Sequence, residues 1–228
     1  MTSNNIVFRK LYQTTLFTAP PWMVRKPFLD LSLTNTSNQL NTSSMVKQCY
    51  SKIDEYQNDQ HINTDASKSE KGVGYALIHN DYTASYKISN FSTVYTAELF
   101  AIYKALELAL NVNLDRCLII TDSLSSMSSL GTIYLTHSLL RLIKSHLYQL
   151  QQKNANVKFM WIPSHIGIHG NERVDAAAKS SFNNEYLIEP TYKKHFHHWI
   201  NSTLKERWFQ EWNQSQQKLR DIKTTVTR

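Results

Sequence analysis

Cysteine is nearly missing: only Cys49 and Cys117 occur in 228 residues. Two thiols cannot build a disulfide framework, and they leave no cysteine cluster to bind a metal. Cys117 lies in the apolar run CLII, so a reduced, intracellular compartment, nuclear or cytoplasmic, is the expectation. The chain lacks any apolar run near the length of a membrane span, and its opening, MTSNNIVFRKLYQTTLF, lacks the apolar core of a secretory signal. Neither a membrane partner nor export is therefore expected. Glycine is limited to five residues and no repeat is visible, which excludes collagen-like chains and repeat arrays.

Apolar residues make up 41% of the chain, enough for the core of one ordinary domain with extensions, or of two small ones. The net charge of +7 divides into +2 over residues 1–60, +2 over 61–182 and +3 over 183–228, so no basic tail accounts for it. The middle stretch holds nine acids, and four of them, discussed below, are candidate metal ligands. With those neutralised its balance is +6, which suits a polyanionic partner.

Residues 1–59 contain the Pro20-Pro21-Trp22 break and the Ser/Thr/Asn-rich tract LSLTNTSNQLNTSS, and read as an irregular lead-in or linker. From Gln60 the pattern sharpens. His61–Ala66, YALIHN and TASYKIS read as three consecutive short strands, an antiparallel meander. Thr96 opens a helix in which Leu99, Ile102, Tyr103, Leu106 and Leu110 recur at helical spacing. Arg116–Thr121 reads as a buried strand, Leu124–Leu130 as a short helix that Asp122 or Ser123 can cap, and Thr136 or Ser138 starts a longer helix to about Gln151. Val157–Ile162 gives a further strand stopped by Pro163, and Gly170 or Asn171 begins a last helix. The order βββαβααβα does not fit simple α/β alternation. It fits a mixed five-stranded sheet with helices on both faces. Residues 183–228 read as a helical extension with Trp199, Trp208 and Trp212.

Four acids punctuate these elements: Asp65 in INTDAS, Glu98 in TAELFAIYKAL, Asp122 in LIITDSLSS and Asp175 in GNERVDAAAK. Taken singly, each has an ordinary explanation. Asp122 can be a helix cap, Asp175 a first-turn acid at the positive end of its helix, Glu98 a solvated helix residue and Asp65 a turn former. Four carboxylates converging on one point would repel one another unless divalent cations sat between them, so together they suggest a two-metal site for phosphoryl chemistry.

The four segments in this order, with WIPSHIGIHGNERVDAAAK (Trp161–Lys179) the most specific, resemble the type I ribonuclease H domain, in the form carried by non-LTR, Jockey-like retrotransposon polyproteins. The resemblance spans about Gln60 to Phe182. It implies a ribonuclease H-like sheet of three antiparallel and then parallel strands, and an endonuclease that cuts the RNA strand of RNA–DNA hybrids using two Mg²⁺ ions, for which Mn²⁺ can substitute. It further implies that Asp65 bridges both ions, Glu98 and Asp122 complete one, and Asp175 serves the other. His165 matches the family's loop histidine, which moves a proton or helps product leave, while His169 falls at a variable position. Ser123 matches a position near the nucleic-acid backbone, which helix capping explains equally well, and Asn171 and Glu172 match the family's pattern, where capping and positioning of the last helix is the reading preferred to substrate contact. Ser164 and Ile166 depart from the residues often seen beside that histidine, which bears on how the loop moves. The Pro-Pro-Trp stretch and the tryptophan-containing tail resemble what flanks ribonuclease H in such elements, so a reverse transcriptase domain or polyprotein is an expected partner beside the hybrid.

Other readings remain open on the sequence. Solvated loop positions explain His137, His146 and His169. His195, His197 and His198 crowd into four residues without a cysteine nearby, a poor basis for tetrahedral zinc. A retroelement-derived binding module that has lost catalysis is a rival, although the intact acids at all four positions argue against it. A transposase or integrase core uses other acid spacings and usually a final glutamate. Between Asp122 and Trp161 only Arg141, Lys144, Lys153 and Lys158 are basic, so no basic helix for gripping a hybrid is expected there.

Overall fold

The computed structural model describes residues 23–35, 41–132, 137–183, 201 and 204–212. Residues 13–189 form one compact unit, and residues 1–12 with 190–228 form the other. In the latter, residues 204–212 are helical, with Trp208 and Phe209 exposed. The expectations placed on Trp199 and on His195, His197 and His198 lie outside the described residues.

The larger unit contains β1 (Phe28–Asp30), α1 (Thr42–Asp54), β2 (Gln60–Ser69), β3 (Gly72–His79), β4 (Tyr82–Ile88), α2 (Val94–Asn111), β5 (Arg116–Thr121), α3 (Leu124–Gly131), α4 (Ser138–Gln152), β6 (Asn156–Trp161) and α5 (His169–Ser180). One sheet runs in the order β1-β6-β5-β2-β3-β4. The meander β2-β3-β4 is antiparallel, whereas β2, β5, β6 and β1 pair in parallel. The mixed α/β fold expected from the sequence is therefore present.

Two expectations need correction. The sheet has six strands, not five, because the three residues of β1 pair with Lys158–Met160 of β6. The supposedly irregular lead-in also holds α1, capped by the Asn41 side chain, which accepts from the Ser44 N–H at 2.9 Å. Polar composition hid both elements. α1 buries only Met45 and Cys49, one turn apart, too sparse a stripe to register as periodicity, and β1 is too short to show alternation. α2 likewise begins two residues before Thr96, since Thr93 is the cap and its hydroxyl accepts from the Thr96 N–H at 3.1 Å.

Every residue of β3 is buried, as expected for a strand covered on both sides. On one face Tyr75 stacks on Phe100 of α2, which packs in turn on α4. On the other face Ala76 and Ile78 meet Val174 and Ala178 of α5. Farther along that same face, Leu118 and Ile120 pack beneath Met45 and Cys49 of α1. The starts of the parallel strands are tied by Asp59, whose fully buried carboxylate pairs with Arg116 at 2.8 Å and Lys158 at 2.6 Å.

The small residues of β3 let α5 lie close to the sheet. A methyl group at Gly74 would collide with the Ser181 hydroxyl and come within 3.1 Å of the Ala178 carbonyl. Gly74→Ala is expected to cost about 1–3 kcal/mol by overpacking, read as a lower urea midpoint with an unchanged slope. A wild-type midpoint would show that α5 is not held against β3 at this point.

Candidate metal centre

Strand register alone brings two of the acids together. Thr64 of β2 lies opposite Thr121 of β5 in the parallel ladder, so the next residues, Asp65 within β2 and Asp122 just past the end of β5, lie side by side, and adjacent strands run ~4.8 Å apart. Glu98 reaches the same point from the first half of α2. A carboxylate oxygen from each of Asp65, Glu98 and Asp122 lies within 4.8 Å of the others. Asp65 and Glu98 are each 5% exposed, which removes most of the water that would screen their mutual repulsion.

Asp175 is not part of this tight trio. It sits in α5, buried, with Oδ2 2.6 Å from the ammonium of Lys179 one turn on. It is near enough that its charge adds to the cost of ionising Asp65 and Asp122.

Burial is the main force on all three clustered acids. It pushes the Asp65 carboxyl up to about 8, with the Asp122 charge next in size and the Asp65 carboxylate's bond from the Ala66 N–H at 2.7 Å opposing. Burial, then Asp65 and Asp122, raises Glu98 well above the ordinary carboxylate range. Asp122 is raised by burial, against the hydrogen bond from the Asn171 amide at 3.3 Å and the charge of His165. Glu98 Oε2 is buried without a hydrogen-bond partner. A buried acceptor left unpaired costs about 1–3 kcal/mol, and hard oxygen donors grouped in this way fit a divalent cation. Asp65, Glu98 and Asp122 are the residues that would hold it.

The surroundings fix these ligands. The Trp161 indole N–H donates to the Asp122 carbonyl at 2.9 Å, so the end of β6 pins the residue after β5. Asn171 is buried in the first turn of α5 and spends its amide on Asp122. It does not cap its helix, whose cap is Ile168 without a side-chain bond. Ser123 also fails as a side-chain cap: its hydroxyl donates to Ser126 Oγ at 2.9 Å. Glu172 instead accepts from the Gly167 N–H at 3.3 Å, closing the loop before α5.

His165 is exposed on that loop with φ of 55°, an uncommon backbone state for a residue other than glycine. His169 is exposed at the start of α5. The two remaining loop readings are corrected. His137 caps α4, accepting from the Leu139 N–H at 3.2 Å, and His146 stacks on Tyr103 at 4.7 Å. Trp161, Lys179 and Asn171 as a ligand-holding amide were not legible as such, although the four-residue step from Asp175 to Lys179 is an ordinary helical ion-pair signal. Three of the four basic residues between Asp122 and Trp161 are engaged within the protein: Lys144 donates to the Leu130 carbonyl, Lys153 to Asn113 and Lys158 to Asp59.

A mixed six-stranded sheet on which carboxylates from β2, from α2 and from the residue after β5 meet at one point defines an acid-centred α/β domain. Residues 57–183 match the model of the RNase H family, and the chain belongs to that family. No curated protein matches the chain.

The raised acids fix a sign for stability against pH. Asp65 ionises near 3.8 when unfolded and about 8 when folded, so between those values the folded state binds the extra proton and its stability falls as pH rises. Cation binding needs the ionised form and pulls the other way. The melting midpoint with chelator is expected to drop from about pH 5 to about pH 8, and saturating Mg²⁺ to restore more of it at pH 8 than at pH 5. A midpoint indifferent to Mg²⁺ at both values would count against a cation at the trio.

Proposed function

We propose that this chain is a metal-dependent endonuclease that hydrolyses the RNA strand of RNA–DNA hybrids, leaving a 5′-phosphate and a 3′-hydroxyl. The observation that carries the reading is the Asp65–Glu98–Asp122 trio, with Asp65 and Glu98 buried and Glu98 Oε2 without a partner, inside a domain of the RNase H family. When bound, two Mg²⁺ ions, or Mn²⁺ in their place, supply the positive charge that in-line attack of water on a phosphodiester requires.

The side chains have separable tasks. Asp65, Glu98 and Asp122 would hold one cation, and Asp65 together with Asp175, once turned from Lys179, would hold a second. Asn171 and Trp161 keep Asp122 from swinging as its charge is used. The attacking water gives up a proton to solvent and its oxygen bonds to phosphorus as the bond from phosphorus to the 3′ oxygen breaks, and that oxygen takes up a proton. His165, solvent-facing, carries a proton or eases product departure. Ser123, at the exit of β5, contacts the nucleic-acid backbone. Selection of the hybrid comes from minor-groove shape and 2′-hydroxyl contacts, since side chains reach base edges poorly in such a duplex.

The wider assignment extends to the whole chain: a ribonuclease H domain over about 60–182, a helical tryptophan-containing extension after it, and descent from a Jockey-like retrotransposon polyprotein with a reverse transcriptase as partner. The motif order and the Pro-Pro-Trp lead-in support that descent. No helix among the described residues is long and apolar enough to cross a membrane, which accords with a proposed intracellular place of action. One observation favours a second reading, a hybrid-binding module without turnover: Asp175 is held by Lys179 outside the trio.

Labelled hybrid, double-stranded RNA and DNA duplex, each with and without Mg²⁺, separate the two readings. Cleavage of hybrid alone, and only with the ion, is expected; tight hybrid binding without cleavage would favour the module. Asp65→Asn and Asp122→Asn should each remove cleavage while leaving the circular dichroism spectrum unchanged. Residual activity above roughly a few per cent at saturating Mg²⁺ would overturn the ligand assignment. His165→Ala should slow turnover ~10-fold or more without abolishing it, and His169→Ala should do little; equal losses would remove the distinction between the two histidines.

A further inference from the structure

The loop from Pro163 to Ile168 must hold an awkward shape. His165 has φ of 55° and Gly167 has φ of 90°, and a non-glycine residue in the left-handed region carries strain that its surroundings must offset. Within the loop region, the hydrogen bond from the Gly167 N–H to Glu172 is long, at 3.3 Å, and exposed. The N-terminus of α5 has no side-chain cap of its own.

The missing support comes from α1. Ile168 is buried in one apolar cluster with Met45 and Cys49 of α1, and Ile166 packs against the same cluster beside Val46 and Ile53. The Tyr50 hydroxyl accepts from the His169 N–H at 3.2 Å, supplying from another element the cap that α5 lacks. α1 is itself fixed. Tyr56, just beyond its end, donates to Asp30 at 2.6 Å, Lys52 lies 3.4 Å from the same carboxylate, and Asp30 belongs to the strand that pairs with β6. All of these α1 residues precede residue 57, where the family match begins.

We propose that α1 is a positioning element of the catalytic site, with Tyr50 its principal contact: it holds the loop that carries His165 and the first turn of α5 that carries Asn171. The departure noted at Ile166 then has a purpose. An apolar side chain there anchors the loop to α1, so motion at His165 is confined to the few residues around it.

The proposal rests on the hydrolytic reading for its kinetic consequence but not for its structural one, and the test reads them apart. Tyr50→Phe keeps the ring and deletes the hydroxyl; Val46→Ala trims the apolar contact without opening the buried centre; Ser51→Ala, exposed on the same helix, is the control. Amide exchange by mass spectrometry is compared across residues 163–172, with β3 and α2 as references, and hybrid cleavage is measured with Mg²⁺. Tyr50→Phe is expected to speed exchange in 163–172 roughly fivefold while the reference segments stay unchanged. It should lower kcat about three- to tenfold with KM within about twofold, since a misplaced group costs rate rather than affinity. Val46→Ala should move the same readouts in the same direction, and Ser51→Ala neither. Unchanged exchange at 163–172 in both Tyr50→Phe and Val46→Ala would overturn the brace, as would faster exchange with kcat unaltered. If the wild-type protein cuts no hybrid, the hydrolytic reading falls and the exchange comparison decides the brace alone.

Discussion

Mutual repulsion of carboxylates in a dry place is the constraint around which this molecule is arranged. Asp65, Glu98 and Asp122 stand closer together than ionised groups would choose, and two of them are almost wholly removed from water. Such a cluster survives folding only if its protons stay on or a cation takes their place. The backbone must therefore be stiff enough to refuse the relaxation that repulsion favours. The acids accordingly issue from two hydrogen-bonded strands and a long helix with ten buried residues, and not from loops.

Stiffness is distributed in layers. The parallel ladder sets Asp65 beside Asp122, α2 is locked by Tyr75 stacking on Phe100, and α5 is drawn onto β3 through Gly74, Ala76 and Ala178. The side chains nearest the cluster then use their polar atoms on it. Asn171 donates to the Asp122 carboxylate and Trp161 to its carbonyl, while Lys179 offsets Asp175. Within the trio, Glu98 Oε2 is buried and left unanswered by the described residues. An unsatisfied oxygen at the centre of an otherwise well-bonded site marks where something from outside the chain belongs.

How much of this was legible depended on whether the signal was local. The three strands of the meander, α2, the strand Arg116–Thr121 and the helix Ser138–Gln152 follow from alternation or helical spacing, and the structure places them within a few residues of expectation. β1 and α1 were not legible, because their stability comes from partners far along the chain: Phe28–Asp30 is a strand only by virtue of β6, and α1 is a helix because Met45 and Cys49 cover Leu118 and Ile120. The acids could be nominated from their segments, but their proximity could not, since a ladder register has no local signature. The same gap explains Ser123 and Asn171. Spacing suggests caps at both, and the side chains instead turn to Ser126 and to Asp122, partners that only the folded chain supplies.

The three residues of β1 change the character of the sheet's margin. Without them β6, with Phe159 and Met160 buried beside β5, would present a row of free amides and carbonyls along its outer side. A strand in that position is a template on which another chain can add itself. With β1 in place the margin shrinks to a short stub followed at once by a 3₁₀ turn at Ser32–Asn35. Most of the hydrogen-bonding edge of β6 is thus closed to self-association. A version of this domain trimmed to the family boundary would recover that edge and lose α1 with it, leaving a margin on which another chain could add itself.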